Sequence, residues 1–488
     1  MTVLPIVIWT ASVILRISGD AGFEALPARL DSALAAGAHS VRVELDAGLY
    51  QYDECFMSLE GYRDKDLSLT ISGKDSWLVA KSAGNGYSSR TGYVDLAERE
   101  PVDVRNSVRR AGSWPVPVLF RKGVYKIRCK EPDRKPEEVA DWTVILSQWF
   151  KGAVYPVLEI KRGWLYFRKD VDYGVGMWTE LRFGRCLPRY VLCLPPQRQD
   201  LHSCDVSNFL TVKDCHIGEL RMEGLNFLGN GEGTGLIVLK EVKPERIEIS
   251  DCSFLGLRSD AIVAAQTDGL SVRDCLFRDN YLSSVRILDG SGNAVISGNR
   301  FLNNGIGMTN APVVACRGVD YRVAGNYFED FSYVAIGLGI HYTMKDVYGT
   351  CGVAEDNEIC MSDRFRAGVP RALIDGGAIY VYSNQARTVV RNNYVHDISG
   401  PHGNRGIFAD DGPVNVTISG NRVERIHNGY CIDLRRCLRT GWKKNSQVSR
   451  ANVGNRIVDN TYDGRVRLFV RRNDPSSEMR NNVKISVK

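Results

Sequence analysis

The chain has 488 residues, 44% of them apolar and 25% charged, with a net charge of +6, a composition that excludes a disordered or fibrous protein. So mild a charge, with basic runs as short as Arg435-Arg436 and Lys443-Lys444, reads as solvated surface and excludes a nucleic-acid footprint. Thirteen cysteines, an odd number with no CxxC pair among them, exclude the dense disulfide scaffold of small secreted domains and give no sign of structural zinc.

In chain order, the apolar segment from Val3 to Leu15 ends at Arg16 and follows no basic residue. It is too short to span a bilayer and lacks the basic region of a signal peptide, so an opening strand is expected. Residues 25–36 place Leu26, Leu30 and Leu34 at fourfold spacing, an amphipathic helix of about three turns. The alternating segment VRVELDAGLY follows. A helix ahead of the first coils is what a stacked β-structure needs to cover its open edge. Residues 1–76 are accordingly read as an N-terminal cap with the first coils. Residues 77–200 are rich in Trp, Tyr and alternating segments such as VYKIRC and WTVILSQWF. They are read as an inserted antiparallel β domain.

Residues 201–488 carry the main signal. An apolar-x-apolar-x-x-Asn/Cys-x-apolar phrase recurs as IEISDCSF, LSVRDCLF, AVISGNRF, YRVAGNYF, GVAEDNEI, TVVRNNYV and VTISGNRV. Its anchors are Cys252, Cys275, Asn299, Asn326, Asn357, Asn393 and Asn421, at steps of 23, 24, 27, 31, 36 and 28. Steps of this size with period-2 strands indicate a solenoid of stacked coils. The expected fold is all-β, a right-handed parallel β-helix. Asn at the anchors is expected to tolerate left-handed backbone and to hydrogen-bond its counterpart one coil away. Cys252 and Cys275 are read as reduced core thiols. Cys351 with Cys360, and Cys431 with Cys437, are left open as pairs.

The repeat also serves as a ruler, because residues at equal offsets from their anchors should share a face. Solenoids carry insertions on one face, often the functional one, and the longest steps lie between Asn326 and Asn393. Four of the seven histidines, His341, His396, His402 and His427, fall in this part of the chain. Asp375 lies 18 residues after Asn357, and Asp411 lies 18 after Asn393, with Asp410 one residue earlier. Stacked strands are about 4.7–4.9 Å apart, so the ruler sets two carboxylates side by side. Such a pair is costly unless a proton, a cation or a substrate relieves it, and carboxylate pairs are the equipment of glycosidases. Gly376, Gly377 and Gly412 leave room beside the acids, although Asp-Gly is also an ordinary turn signature. Arg405, His402 and His341 are expected to donate to sugar hydroxyls or carboxylates. Tyr342, Tyr380 and Phe408 are expected to stack on sugar rings. Asp260, Arg286, Asp289, Glu232 and Asp433 are weaker candidates. Asp433 with Arg435 is the best of these, and a buried Asp–Arg pair explains it equally well.

The motifs DGGAIY (375–380) and GIFADDGPVNVTISGN (406–421), with the capping helix and the inserted domain, resemble the bacterial β-helix glycoside hydrolases. The likeness is greatest to glycoside hydrolase family 141, which has fucosidase- and xylanase-type activities, and more distant to families 110 and 120. It covers residues 200–460 well and the N-terminal part in outline. The resemblance implies that Asp375 and either Asp410 or Asp411 form the catalytic pair.

The expected activity is therefore cleavage of a glycosidic bond in a plant or host glycan. Asp375 with Asp410 or Asp411 would act as acid and as base or nucleophile. His341, Tyr342, Tyr380, His402, Arg405, Asp433 and Arg435 would line the substrate. No cofactor or metal and no nucleic-acid or membrane-spanning partner is expected, and a periplasmic or extracellular location is. Close spacing of the acids leans toward retention. Two other classes stay open. One is a polysaccharide lyase that binds calcium and uses an Arg or Lys base on a uronate. The other is a glycan-binding β-helix without catalysis, such as an adhesin or tailspike.

Overall fold

The computed structural model describes residues 12–80 apart from 53–55 and 65, and the segments 118–121, 124–128, 132–138, 143–148, 151–168 and 190–194. It also describes residues 208–486 apart from 231–233, 258, 281, 306–310, 340–347, 363–375, 383–384, 400–403, 411, 436–452 and 469–475. Three strands per coil wind into one parallel β-helix. The first face runs through Ile247–Ser250, Leu270–Arg273, Val295–Ser297 and Arg322–Ala324 to Arg456–Val458 and Glu478–Arg480. The second face begins one residue after each anchor, as in Ser253–Leu255, Leu276–Arg278 and Arg300–Asn304. The third runs through Ile262–Ala265, Val285–Ile287, Val314–Cys316, Ile336–Leu338, Ile379–Tyr382, Arg405–Asp410, Tyr430–Leu434 and Val466–Leu468.

The opening strand is Ser12–Ile17, paired in parallel with Ser40–Leu45; residues 1–11 of the expected strand lie outside the described residues. The helix Leu26–Ala35 buries Leu26, Leu30 and Leu34 on the core, as their spacing requires. Between Ala80 and Asn208 the coil sequence is interrupted, yet Leu210–Leu228 pairs in register with Met57–Glu60 and Ser68–Ala80. The described strands of the intervening segment form a separate six-stranded antiparallel sheet, ordered Tyr190–Leu194, Thr143–Gln148, Lys151–Lys161, Trp164–Arg168, Val124–Arg128 and Val118–Arg121. Among the described residues no helix is long and apolar enough to cross a membrane.

Inside the coils, like stacks on like. Phe227, Phe254, Phe277, Phe301 and Phe328 form a continuous stack with centroids 4.5–5.2 Å apart. Beside it the anchors make a polar ladder. Asn393 donates its backbone N–H and its Nδ2 to Oδ1 of Asn421 (3.0 and 2.9 Å), and its own Oδ1 accepts the same two bonds from Asn357 (3.1 and 2.9 Å). The ladder extends past the last anchor read from the sequence, through Asn460 to Asn482. Left-handed backbone sits one residue earlier than expected. Asp274, Gly298, Gly325, Asp356, Asn392 and Gly420 have φ between 55° and 66°, whereas the anchors themselves do not. The corner therefore takes Asp, Asn or Gly, residues that accept this conformation, and leaves the anchor free to bond across coils. Cys351, Cys360 and Cys431 carry free thiols, so neither open pairing forms.

Outside the core, ion pairs tie coils together on the first face. Glu248 sits between Arg246 and Arg273, and Glu355 between Arg322 and Arg391. Burial would raise the Glu355 carboxyl, but the two arginines overcome it and hold it below the usual carboxylate range.

Replacing Asn393 by Ala strands the backbone N–H and amide of Asn357 in the interior. The expected cost is roughly 2–4 kcal/mol in urea denaturation; a loss below about 0.5 kcal/mol would contradict the ladder's role.

Candidate functional site

Period-2 alternation decides what the third face shows to the outside. Ile379, Val381, Ile407, Ala409, Ile432 and Leu434 belong to the core, so Tyr380, Tyr382, Phe408, Asp410 and Asp433 point away from it. Parallel pairing then stacks these outward residues in columns. One column reads Val263, Arg286, Ala315, Gly337, Tyr380, Phe408, Asp433 and Arg467. Two residues further along, Tyr382 faces Asp410.

The centre of this face is tightly organised. The Tyr380 ring stacks on Phe408 at 4.7 Å and 11°, lies 4.1 Å from Tyr382, and meets Tyr333 edge-on at 6.4 Å. Its hydroxyl donates to Oδ2 of Asp410 at 2.9 Å. This fixes the carboxylate at the end of Arg405–Asp410, where only 4% of the residue is exposed. The Arg405 guanidinium lies 4.0 Å over the Phe408 ring, donates Nε to Asp433 Oδ2 at 2.7 Å, and donates Nη1 to the Gly376 carbonyl at 3.3 Å. Arg467 donates to both oxygens of Asp433. Arg435 reaches the same carboxylate at 3.5 Å and lies 5.0 Å from the Phe408 ring. Asp433 is thus fully buried beneath three guanidiniums, the arrangement that a buried carboxylate needs to stay charged.

The glycines of DGG have a packing reason. A Cβ on Gly376 would stand 2.6 Å from the Tyr333 carbonyl oxygen, and one on Gly377 would stand 3.1 Å from the Phe408 Cβ. The chain entering Ile379–Tyr382 is pressed against the aromatic cluster, with no room for a Cβ at Gly376 and a tight fit at Gly377.

Of the residues expected to form the site, Asp375, Asp411, His341, Tyr342 and His402 lie outside the described residues, as does Glu232. Asp410, Tyr380, Arg405, Asp433 and Arg435 come together. Tyr380 and Arg405 take a different place from the one expected, while Asp433 takes the buried Asp–Arg place that was its alternative. Tyr380 offers no face to a sugar, because Phe408 and Tyr382 lie against its ring and it is 0% exposed; its contribution is the hydroxyl. Phe408 is covered in the same way. Asp433 and Arg405 form the buried ion pair beneath the surface. His396 is on the second face, between Asp397 and Glu358, and His427 is exposed; neither belongs to this cluster.

The ruler also fails at this face. It paired Asp375 with Asp411, a difference of 36 inherited from the step between Asn357 and Asn393. The strands instead pair Ile379 with Ile407 and Tyr382 with Asp410, a difference of 28. The extra eight residues are taken up between Cys360 and Ile379, after the second face has kept the 36-residue register. Equal offset from the anchors does not give equal place here. The pairing of Asp375 with Asp411 loses its geometric basis, and so does the lean toward a narrow, retaining pair.

Other outward residues were not singled out in the sequence. Tyr382, Arg467 and Arg317 lie on this face, and the alternation of their own strands was the signal that could have found them. Asp260 and Arg286 lie upstream on it. Asp260 accepts the Ser283 N–H at 2.9 Å and Arg286 Nη1 at 2.8 Å. Burial pushes its carboxyl up, against the lowering effect of Arg286.

A family model described as a right handed beta helix region matches residues 241–464, and the chain is a right-handed parallel β-helix. No curated protein sequence matches it. Among solved structures it is similar to one described as a glycoside hydrolase, at 11% identity and TM-score 0.48, covering 94% of this chain and 92% of that one. It is also similar to a periplasmic alginate epimerase, at 10% identity and TM-score 0.38, covering 91% and 76%. An alginate lyase from Paenibacillus follows at 11% identity and TM-score 0.34, covering 93% and 99%. At these identities the likeness is one of fold.

Asp433→Asn leaves three guanidiniums short of a charged partner, with Arg405 buried among them. Urea denaturation is expected to show a loss of about 3–5 kcal/mol. A loss under about 1 kcal/mol would mean that Asp433 does not hold the face together.

Proposed function

We propose that this protein is a glycoside hydrolase whose substrate lies along the outer side of the third face, with Asp410 as one of its two carboxylates. The observation that carries the reading is the Tyr380–Asp410 bond. A carboxylate points away from the core, is largely removed from water, and is oriented by a phenol that is itself locked between two rings. Glycosidic cleavage needs a carboxyl held in this way, because the group must transfer a proton or attack at a fixed point on the sugar ring. Arg435 and the half-buried Tyr382 flank the same column and supply donors for sugar hydroxyls. The second carboxylate of the proposal is Asp375 or Asp411, each joined in sequence to this cluster, through Gly376 and Asp410 respectively.

A polymeric substrate of this kind belongs outside the cytoplasm, and a periplasmic or extracellular location is part of the proposal. The seven free thiols among the described residues are compatible with it, since six are buried and shielded from oxidants.

The test is turnover of aryl glycosides and polysaccharides, followed as release of reducing ends. Asp410→Asn is expected to lower kcat by about 10²–10⁴ with the fold unchanged, and Tyr380→Phe by roughly tenfold. Wild-type turnover in a folded Asp410→Asn would sink the proposal. Ultraviolet absorbance from an unsaturated uronide product would replace hydrolysis with β-elimination.

A further inference from the structure

The columns that hold Asp410 continue toward the N-terminal coils, and there they carry positive charge. Arg286 stands in the same outward column as Tyr380 and Phe408, two small residues away from them: Ala315 and Gly337, the latter covered by Pro312 and Tyr382. Arg317 lies two residues beyond Ala315 on the neighbouring coil, on the line that leads to Tyr382 and Asp410. Its guanidinium is half-buried and close enough to the Tyr382 hydroxyl to oppose the effect of burial on it. Among the described residues no carboxylate pairs with Arg317. Arg286 uses one nitrogen on Asp260, and its side chain is 39% exposed. Burial pushes the Asp260 carboxyl up, against the lowering effect of Arg286.

A half-buried guanidinium with no carboxylate partner among the described residues, as at Arg317, is costly in the empty protein and suited to an anion, which it can meet with two parallel hydrogen bonds, and the partly exposed Arg286 adds a second donor set. Their place matters as much as their charge. Arg286 is four coil steps from Phe408, roughly 19 Å at the spacing of stacked strands, so one extended chain lying along the axis can meet both ends. We infer that Arg317 and Arg286 form an anion-recognising stretch of the third face, and that the substrate is an acidic glycan whose charged sugars sit on the N-terminal side of Asp410. The inference rests on the proposed carbohydrate site and adds its substrate class. The anion is a uronate carboxylate or a sulfate ester, which present the same oxygen geometry to a guanidinium.

Binding is measured by titration calorimetry on the full chain, which separates recognition from turnover. The probes are an acidic oligouronate, the same oligosaccharide with its carboxyls reduced to alcohols, and a sulfated oligosaccharide of similar length. At least one charged probe is expected to bind about tenfold or more tightly than the reduced one, and Arg317→Gln to lose most of that preference. Affinity for the reduced probe should stay unchanged in Arg317→Gln, and Arg286→Gln should weaken the charged probe in the same sense. Arg317→Lys should recover only part of the loss, because an ammonium cannot make the paired contact. The sulfated and carboxylated arms tell the two anions apart, and a preference for either, if lost in Arg317→Gln, supports the inference. Equal binding of charged and reduced probes, or an undiminished preference in Arg317→Gln, overturns it. Cleavage of neutral glycans that depends on Asp410, without any charge preference, would remove this inference and leave the hydrolase reading standing. Charge-selective binding with full turnover in Asp410→Asn would do the reverse.

Discussion

Each coil of this chain meets the next through parallel, in-register hydrogen bonds, and at one corner the bond is made by a side chain as well as by the backbone. From Asn299 to Asn460 every anchor gives two donors to the oxygen of the next, and from Asn326 to Asn482 each receives two from the one before. A slip of one residue in any coil would break this chain of bonds and turn every inward side chain out. The same register stacks phenylalanine on phenylalanine within and glutamate between arginines without.

The proposed functional face is a consequence of that register. Because coils align residue for residue, an outward position becomes a column, and a column can be specialised along its length. The stretch from Tyr380 to Arg467 is a buried aromatic and ionic cluster, in which Tyr380 aims Asp410 while Asp433 holds three arginines. The stretch from Arg286 to Gly337 is cationic, with Pro312 and Tyr382 packed over its smallest residue, Gly337. Rigid supports beneath and donors above are what catalysis on a long substrate requires, since the reacting group must be held while the chain is gripped elsewhere.

Much of the fold was legible in the sequence because a solenoid repeats its physics. The anchors, the period-2 strands and the leucines at positions 26, 30 and 34 all meant in space what their spacing implied. The corner was misread by one residue, since a pattern of Asp-Asn, Gly-Asn and Asn-Asn pairs does not say which member bends the backbone. The site was less legible for a specific reason. Anchors fix the first and second faces, but the chain between Cys360 and Ile379 takes up eight residues before the third face begins, and no count from Asn357 can reveal where they go. Tyr380 and Phe408 looked like sugar platforms because their exposure could not be read from residue type. Arg317 and Arg467 escaped notice because neither lies in a motif; their meaning comes from the columns they join.

The proposed function and the proposed substrate class both depend on a glycan lying along the outer side of the third face. The most direct measurement is a crystal structure of Asp410→Asn with an acidic oligosaccharide. The account predicts a chain running along the helix axis, with an anionic group at Arg317 or Arg286 and a glycosidic oxygen beside residue 410. An oligosaccharide seated on the first or second face, or on the antiparallel sheet, with this column unoccupied, would contradict it.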